Sequence, residues 1–158
     1  MRSQLLLSFL GSTAIACSHS PTAPTQAALS ILVSPNPIAG PTANAHLVYT
    51  VRFQETAGLG VRLDRFDERI TDAAGTLMTS GSGSLSQSSG CTTCTRDLRV
   101  AANATFNWGQ FTQPWRIGPN GESLLPCCGL QPSTFSLTVY YTDDHGNALH
   151  SNAQVPIQ

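Results

Sequence analysis

The chain has 158 residues, about the size of one domain, and a formal net charge of −1 at pH 7. Charged residues make up only 11% of it, well below the usual quarter, while the apolar fraction of 41% is ordinary for a globular protein. Every basic residue is an arginine. No basic cluster accompanies the aromatic residues, so we do not expect nucleic acid as a partner.

The first residues form a leader. Arg2 precedes an apolar run over residues 5–10, and the small residues Ala14 and Ala16 flank Ile15 immediately before Cys17. This order is typical of a secretory signal peptide, here residues 1–16. The apolar run is shorter than the roughly 20 residues that cross a bilayer, and no later run is long enough.

The end of the leader, Ala14-Ile15-Ala16-Cys17, resembles the lipobox of bacterial lipoproteins, although the family usually has Leu where Ala14 stands. The resemblance implies that Cys17 carries lipid and anchors the protein in the cell envelope. In a diderm bacterium, Ser18 after the cysteine resembles the outer-membrane sorting pattern. The alternative is a secreted protein with Cys17 as its unmodified N-terminus. Five cysteines favour lipidation, because removing Cys17 leaves an even set.

Residues 17–27 are predicted to be the lipid anchor and a flexible tether, since small, polar and proline residues there cannot build a core. Residues 28–158 are predicted to form the folded domain. Period-two alternation predicts strands, the clearest over residues 47–54, 135–142 and 149–157. The turn residues between the last two predict a terminal hairpin. A second hairpin is predicted around Asp72–Gly75.

Within residues 61–71 the apolar phase shifts from Val61 and Leu63 to Phe66 and Ile70, which predicts a β-bulge near Asp64. No stretch has the periodicity of a helix. The sequence therefore predicts an all-β fold, a single antiparallel β-sandwich.

Several segments resemble immunoglobulin-like and fibronectin-type-III-like domains. They are the Ser34-Pro35-Asn36-Pro37 stretch with the long strand after it, the final hairpin over 139–147, and Leu130–Phe135, which resembles a Leu-x-Pro-x-x-Tyr run. Phe135 stands in place of that tyrosine, and residues 81–130 match poorly. The resemblance implies an Ig-like sandwich with a binding or spacer role, and no activity.

Four cysteines remain in the domain, in Cys91-Thr92-Thr93-Cys94 and in the adjacent pair Cys127-Cys128. Two disulfides between these segments are favoured in an oxidising compartment, and each would close a loop of about 35 residues worth about 3–4 kcal/mol. The spacing leaves the connectivity open. Metal binding is an alternative, although an adjacent pair is a poor zinc half-site. A redox pair is the third, although no helix is predicted at Cys91.

No nucleophile–base motif occurs, so we expect no catalytic residue, no cofactor and no enzyme activity. Asp143, Asp144 and His145 are interpreted as turn residues rather than as a metal or acid–base site. The charges over residues 62–72, Glu68 included, are interpreted as solvated pairs on a strand surface, with a polar binding face as the alternative.

The aromatic residues Phe106, Trp108, Phe111 and Trp115 are interpreted mainly as core, with Phe111 expected on the face opposite Phe106 and Trp108. Together these patterns predict a lipid-anchored envelope protein with a non-catalytic binding or structural role and an unidentified protein or glycan partner. The first alternative is a carbohydrate-binding module that uses Trp108 or Trp115. The second is metal or redox chemistry at the cysteine segments.

Overall fold

The computed structural model describes residues 23–40, 46–85, 98–114 and 131–158. These residues form eight strands, and they contain no helix. The strands are β1 (Leu29–Ser34), β2 (His46–Glu55), β3 (Val61–Asp72), β4 (Leu77–Ser84), β5 (Arg99–Val100), β6 (Thr105–Pro114), β7 (Pro132–Asp143) and β8 (Ala148–Pro156).

The strands form two antiparallel sheets. One has the order β1-β2-β6, and the other has the order β4-β3-β7-β8 with the short β5 paired to the start of β3. The two sheets pack face to face as a sandwich. The predicted all-β sandwich is confirmed.

The core lies between the inner faces of the two sheets. Along β2 every second side chain is buried, so Leu47, Tyr49, Val51 and Phe53 point inward while their neighbours are exposed. The ring centroids of Tyr49 and Phe135 lie 4.5 Å apart, which joins β2 of one sheet to β7 of the other. Such aromatic contacts between sheets supply much of the buried apolar area.

The predicted bulge near Asp64 is present. Leu63 pairs with Tyr141 on β7 but Arg65 pairs with Tyr140, so Asp64 is the extra residue. The Asp64 carboxylate accepts hydrogen bonds from the Thr142 hydroxyl at 2.7 Å and from Arg62 Nε at 3.0 Å. The bulge turns the following even-numbered residues of β3 toward the core.

A second bulge lies in β6, where the sequence predicted none. Val51 pairs with Gly109 but Arg52 pairs with Asn107, which leaves Trp108 as the extra residue. The expectation that Phe111 lies on the face opposite Trp108 is therefore wrong. Both rings point into the sandwich, with centroids 4.4 Å apart.

The hairpin predicted around Asp72–Gly75 is confirmed, and it pairs β3 with the glycine-bearing edge strand β4. Gly83 lies opposite Phe66, and a Cβ at Gly83 would lie 2.7 Å from Phe66 Cε1. At Gly81 the nearest atom to such a Cβ would be Glu68 Oε2 at an ordinary 3.5 Å. The two glycines of one strand therefore differ in how closely the core approaches them.

We expect Gly83→Ala to lower the free energy of unfolding by about 1–3 kcal/mol, because the Phe66 ring must move away from the new methyl group. Gly81→Ala is the matched control, and we expect it to be neutral or stabilising by about 0.4–1 kcal/mol through the unfolded state. Urea unfolding of both variants measures the difference. Equal stability of the two variants would contradict the close approach at Gly83.

Candidate functional site

All the cysteines that the sequence singled out lie outside the described residues: the predicted lipidation site Cys17 and the four predicted to form disulfides, Cys91, Cys94, Cys127 and Cys128. The described residues on either side of the segment containing Cys91 and Cys94 meet on β3. Leu85 N–H donates to the Asp64 carbonyl, and Leu63 N–H donates to the Leu98 carbonyl, both at 2.8 Å.

The turn between β7 and β8 is organised by the Asp143 carboxylate, which is buried. Its Oδ1 accepts the backbone N–H groups of His145 and Asn147 at 3.0 and 2.9 Å, and its Oδ2 accepts Asn147 Nδ2–H at 2.9 Å. Burial acts to raise the pKa of Asp143, but these hydrogen bonds prevail and hold the pKa below its ordinary value. Asp143 thus serves the turn, as the sequence suggested.

The same turn binds the N-terminal segment of the described chain. Ala27 N–H donates to Asp143 Oδ2 at 3.1 Å, and Asn147 Nδ2–H donates to the Thr25 carbonyl at 3.2 Å. Ala27 itself is buried in the core. The last residues of the predicted tether, 25–27, are therefore packed and hydrogen-bonded against the sandwich.

A second buried carboxylate, Glu55, closes the same end of the sandwich. Its oxygens accept the backbone N–H groups of Ala57, Gly58 and Asn103 at 2.8–2.9 Å, and that of Ala28 at 3.3 Å. Burial acts to raise the pKa of Glu55, but the four N–H groups outweigh it and lower the pKa. Glu55 thereby ties the residue before β1 to the β2–β3 loop and to the β5–β6 loop.

A third carboxylate, Glu68, lies inside the sandwich, where it was expected to be solvated. It is only 6% exposed, and Tyr49 donates its hydroxyl hydrogen to Glu68 Oε1 at 3.0 Å. Burial raises the pKa of Glu68, and the Tyr49 hydrogen bond lowers it less than burial raises it. The bulge at Asp64 explains the position, because it places Phe66, Glu68 and Ile70 in one inward phase.

The remaining charges of β3 face solvent, as expected. Arg62 pairs with Asp64 and Arg65 pairs with Asp67, each two residues along the strand and on one face. The Arg65 guanidinium also lies 3.6 Å from the centre of the Tyr140 ring. Within each pair the positive and negative charges neutralise each other on the outer face of the larger sheet.

The four aromatic residues that the sequence singled out are not all described. Trp108 is partly buried and packs against Phe53 and Phe66, with centroids 5.7 and 5.0 Å away. It joins the two sheets rather than forming a flat exposed platform. Trp115 lies outside the described residues.

Two further features concern the described residues only. No helix there is long and apolar enough to span a membrane. No group of three or more His, Cys, Asp or Glu side chains is arranged there to hold a metal ion.

No protein-family model matches the chain, and no curated protein matches its sequence. Solved structures resemble it distantly. The protein from Bordetella pertussis assigned as ApaA is 16% identical, with 87% of this chain and 98% of that chain covered and a TM-score of 0.45. The DNA-bound alkylpurine DNA glycosylase AlkC from Pseudomonas fluorescens is 12% identical, with 84% and 30% covered and a TM-score of 0.41. Likenesses this remote transfer no function to the chain.

We expect Glu55→Gln to lower the free energy of unfolding at pH 7 by about 1–3 kcal/mol. The NH2 group of glutamine cannot accept the backbone N–H hydrogen bonds that the replaced carboxylate oxygen accepts. The contribution of Glu55 is present above the ordinary pKa of glutamate. It is lost as the pH falls through the lowered folded-state pKa. Urea unfolding at pH 7 and pH 3 should therefore show a large difference from wild type that shrinks in acid. Asp67→Asn, in an ion pair on the outer face of β3, is the control and should cost less than about 1 kcal/mol.

Glu68 gives the opposite pH dependence. Because its folded-state pKa is raised, the stability it contributes is present below the ordinary glutamate pKa and is lost as the pH rises through the folded value. We expect Glu68→Gln to gain stability relative to wild type as the pH rises from about 4 through the raised folded-state pKa of Glu68. Tyr49→Phe should steepen the wild-type loss, since the ionised carboxylate loses a donor. A difference that stays constant over this range would show that Glu68 is not held neutral by burial.

Proposed function

We propose that this protein is a cell-envelope lipoprotein, anchored in the membrane by lipid on Cys17, whose β-sandwich has a non-catalytic binding or structural role. In a diderm bacterium the membrane would be the outer membrane. The leader sequence is the basis of the anchoring proposal. In the fold, Asp143 and Asn147 bind residues 25–27, which would hold the sandwich close to such an anchor.

The anchoring proposal implies an orientation for the domain. Residues 25–27 reach the sandwich at the end formed by the β7–β8 turn, the Glu55 carboxylate and the loop before β6. Only a short polar stretch separates Cys17 from this end, so it would face the membrane. The β3–β4 turn and the C-terminal residues lie at the other end and would face away from it.

The non-catalytic part of the proposal is supported by what two of the three buried acids do. Glu55 and Asp143 each accept several backbone hydrogen bonds, and their pKa values are lowered rather than poised near neutrality. Carboxylates occupied in this way hold loops together.

Of the alternatives, a carbohydrate-binding module that stacks sugars on tryptophan loses Trp108 as a platform, because that ring packs between the sheets. It retains Trp115. Metal or redox chemistry of the four domain cysteines is a separate alternative that thiol accessibility distinguishes from the disulfide proposal.

The anchor is tested by the intact mass of the protein purified from the membranes of its native host. We expect a chain that begins at Cys17 and carries acyl groups, because stable anchoring needs more than one acyl chain. Cys17→Ser is the matched control and should lose the acyl mass and leave the membrane fraction. An unmodified mature chain beginning at Cys17 would make the protein secreted and overturn the anchor.

The same preparation tests the disulfides. Alkylation before reduction should label none of Cys91, Cys94, Cys127 and Cys128, and alkylation after reduction should label all four. Four labelled thiols before reduction would overturn the disulfides and favour the metal or redox alternative.

A further inference from the structure

A shallow hollow lies on the outer face of the three-stranded sheet. Its volume is about 450 Å³, within the range of about 300–1,000 Å³ usual for small-molecule sites. All three strands of the sheet line it, with Leu32, Ser34, Thr50, Val51, Arg52, Asn107, Gly109 and Gln110 around it.

The bulge in β6 creates this hollow. Trp108 turns inward as the extra residue, and Gly109 follows with a φ of +144°, a backbone conformation that favours glycine. A Cβ at Gly109 would have no neighbour within 4 Å, so the space above this position is open. Asn107 and Gln110 stand on either side of it, and both are exposed.

Arg52 is the one permanently charged side chain that the described residues place on this outer face. No ion pair to Arg52 occurs within the described part of the chain, whereas Arg62 and Arg65 on the other sheet are each paired with an aspartate. The hollow thus combines an unneutralised cation with two carboxamides and the hydroxyls of Ser34 and Thr50. The Thr50 hydroxyl donates to the Ser34 carbonyl at 3.2 Å and keeps its capacity to accept.

We propose that this hollow binds a carboxylate-bearing saccharide, a unit of the hexuronic acid type. Arg52 pairs with the carboxylate of the sugar. Hydrogen bonds to the ring hydroxyls come from Asn107, Gln110 and Thr50. Leu32, which is 37% exposed, contacts the apolar face of the ring. This names the ligand class of the proposed binding role and rests on that role being correct.

A saccharide fits this place better than an acidic peptide. The hollow lies on the face of the sheet, where the backbone groups of β2 are already paired with β1 on one side and β6 on the other. An extended peptide bound there would find no backbone partners for its own N–H and C=O groups, which strand addition at an edge supplies. The hydroxyls of a sugar need only the side-chain donors and acceptors that the hollow presents.

The test is a titration of the ¹⁵N-labelled full-length mature protein followed by backbone amide shifts, with trigalacturonate as probe. We expect shifts centred on Asn107, Gly109, Gln110 and Arg52, and weaker binding at higher salt. Maltotriose, a neutral trisaccharide, should bind at least about ten-fold more weakly. Triglutamate should not reproduce the shifts.

Arg52→Gln should weaken trigalacturonate binding about ten-fold or more, since a charge-assisted pair becomes neutral. Arg69→Gln is the matched control on the outer face of the other sheet and should bind as wild type does. Unshifted amides around Gly109, equal affinity of Arg52→Gln and wild type, or preference for triglutamate would each overturn the saccharide site. Acylated Cys17 together with an unresponsive hollow would refute this site alone, whereas absent acylation with a responsive hollow would refute only the anchor.

Discussion

The structure depends on the period-two alternation of its strands and on two residues that interrupt it. In a sheet with one buried face, one extra residue exchanges the inner and outer positions of everything that follows. Asp64 does this in β3 and Trp108 does it in β6. The first interruption buries Glu68, and the second brings Phe111 into the core and leaves Gly109 facing an open space.

The end of the sandwich where the described chain begins depends on a different interaction. There the backbone N–H groups of loops and of residues 27 and 28 point toward two carboxylates, Glu55 and Asp143. Buried N–H groups without acceptors are costly, and one carboxylate can satisfy several of them at once. Two acids of a chain poor in charge are thus used to join separate loops and the N-terminal segment into one closed end.

Much of this could be predicted from local patterns. Residues 135–157 alternate cleanly around strong turn residues, and the terminal hairpin follows from them. The phase shift between Leu63 and Phe66 revealed the bulge at Asp64, and taken one step further it places Glu68 beside Phe66 and Ile70 on the inner face. Glu55 likewise continues the inward phase of Phe53. Glu68 was nevertheless expected to be solvated, because charged residues are usually exposed.

Other features could not be read from the sequence. The bulge at Trp108 leaves the alternation of residues 105–112 ambiguous, since aromatic and polar residues occur in both phases. Which of these side chains point inward depends on the residues that pack against them from the opposite sheet. Similarly, the small and polar residues around Ala27 predict a tether. Its hydrogen bond to Asp143, 116 positions away, brings Ala27 into the fold. Contacts between distant parts of the chain decide such cases.

The core and the hollow are parts of one packing arrangement. Gly83 on the edge strand admits the ring of Phe66, and that ring packs edge-on against Trp108. The residue after Trp108 has a positive φ, which glycine, here Gly109, accepts at low cost. The space on the outer face above Gly109 is therefore a consequence of filling the interior with Trp108. A ligand site at this position would lie over aromatic residues that pack against the core, and a rigid floor of this kind lowers the entropic cost of binding.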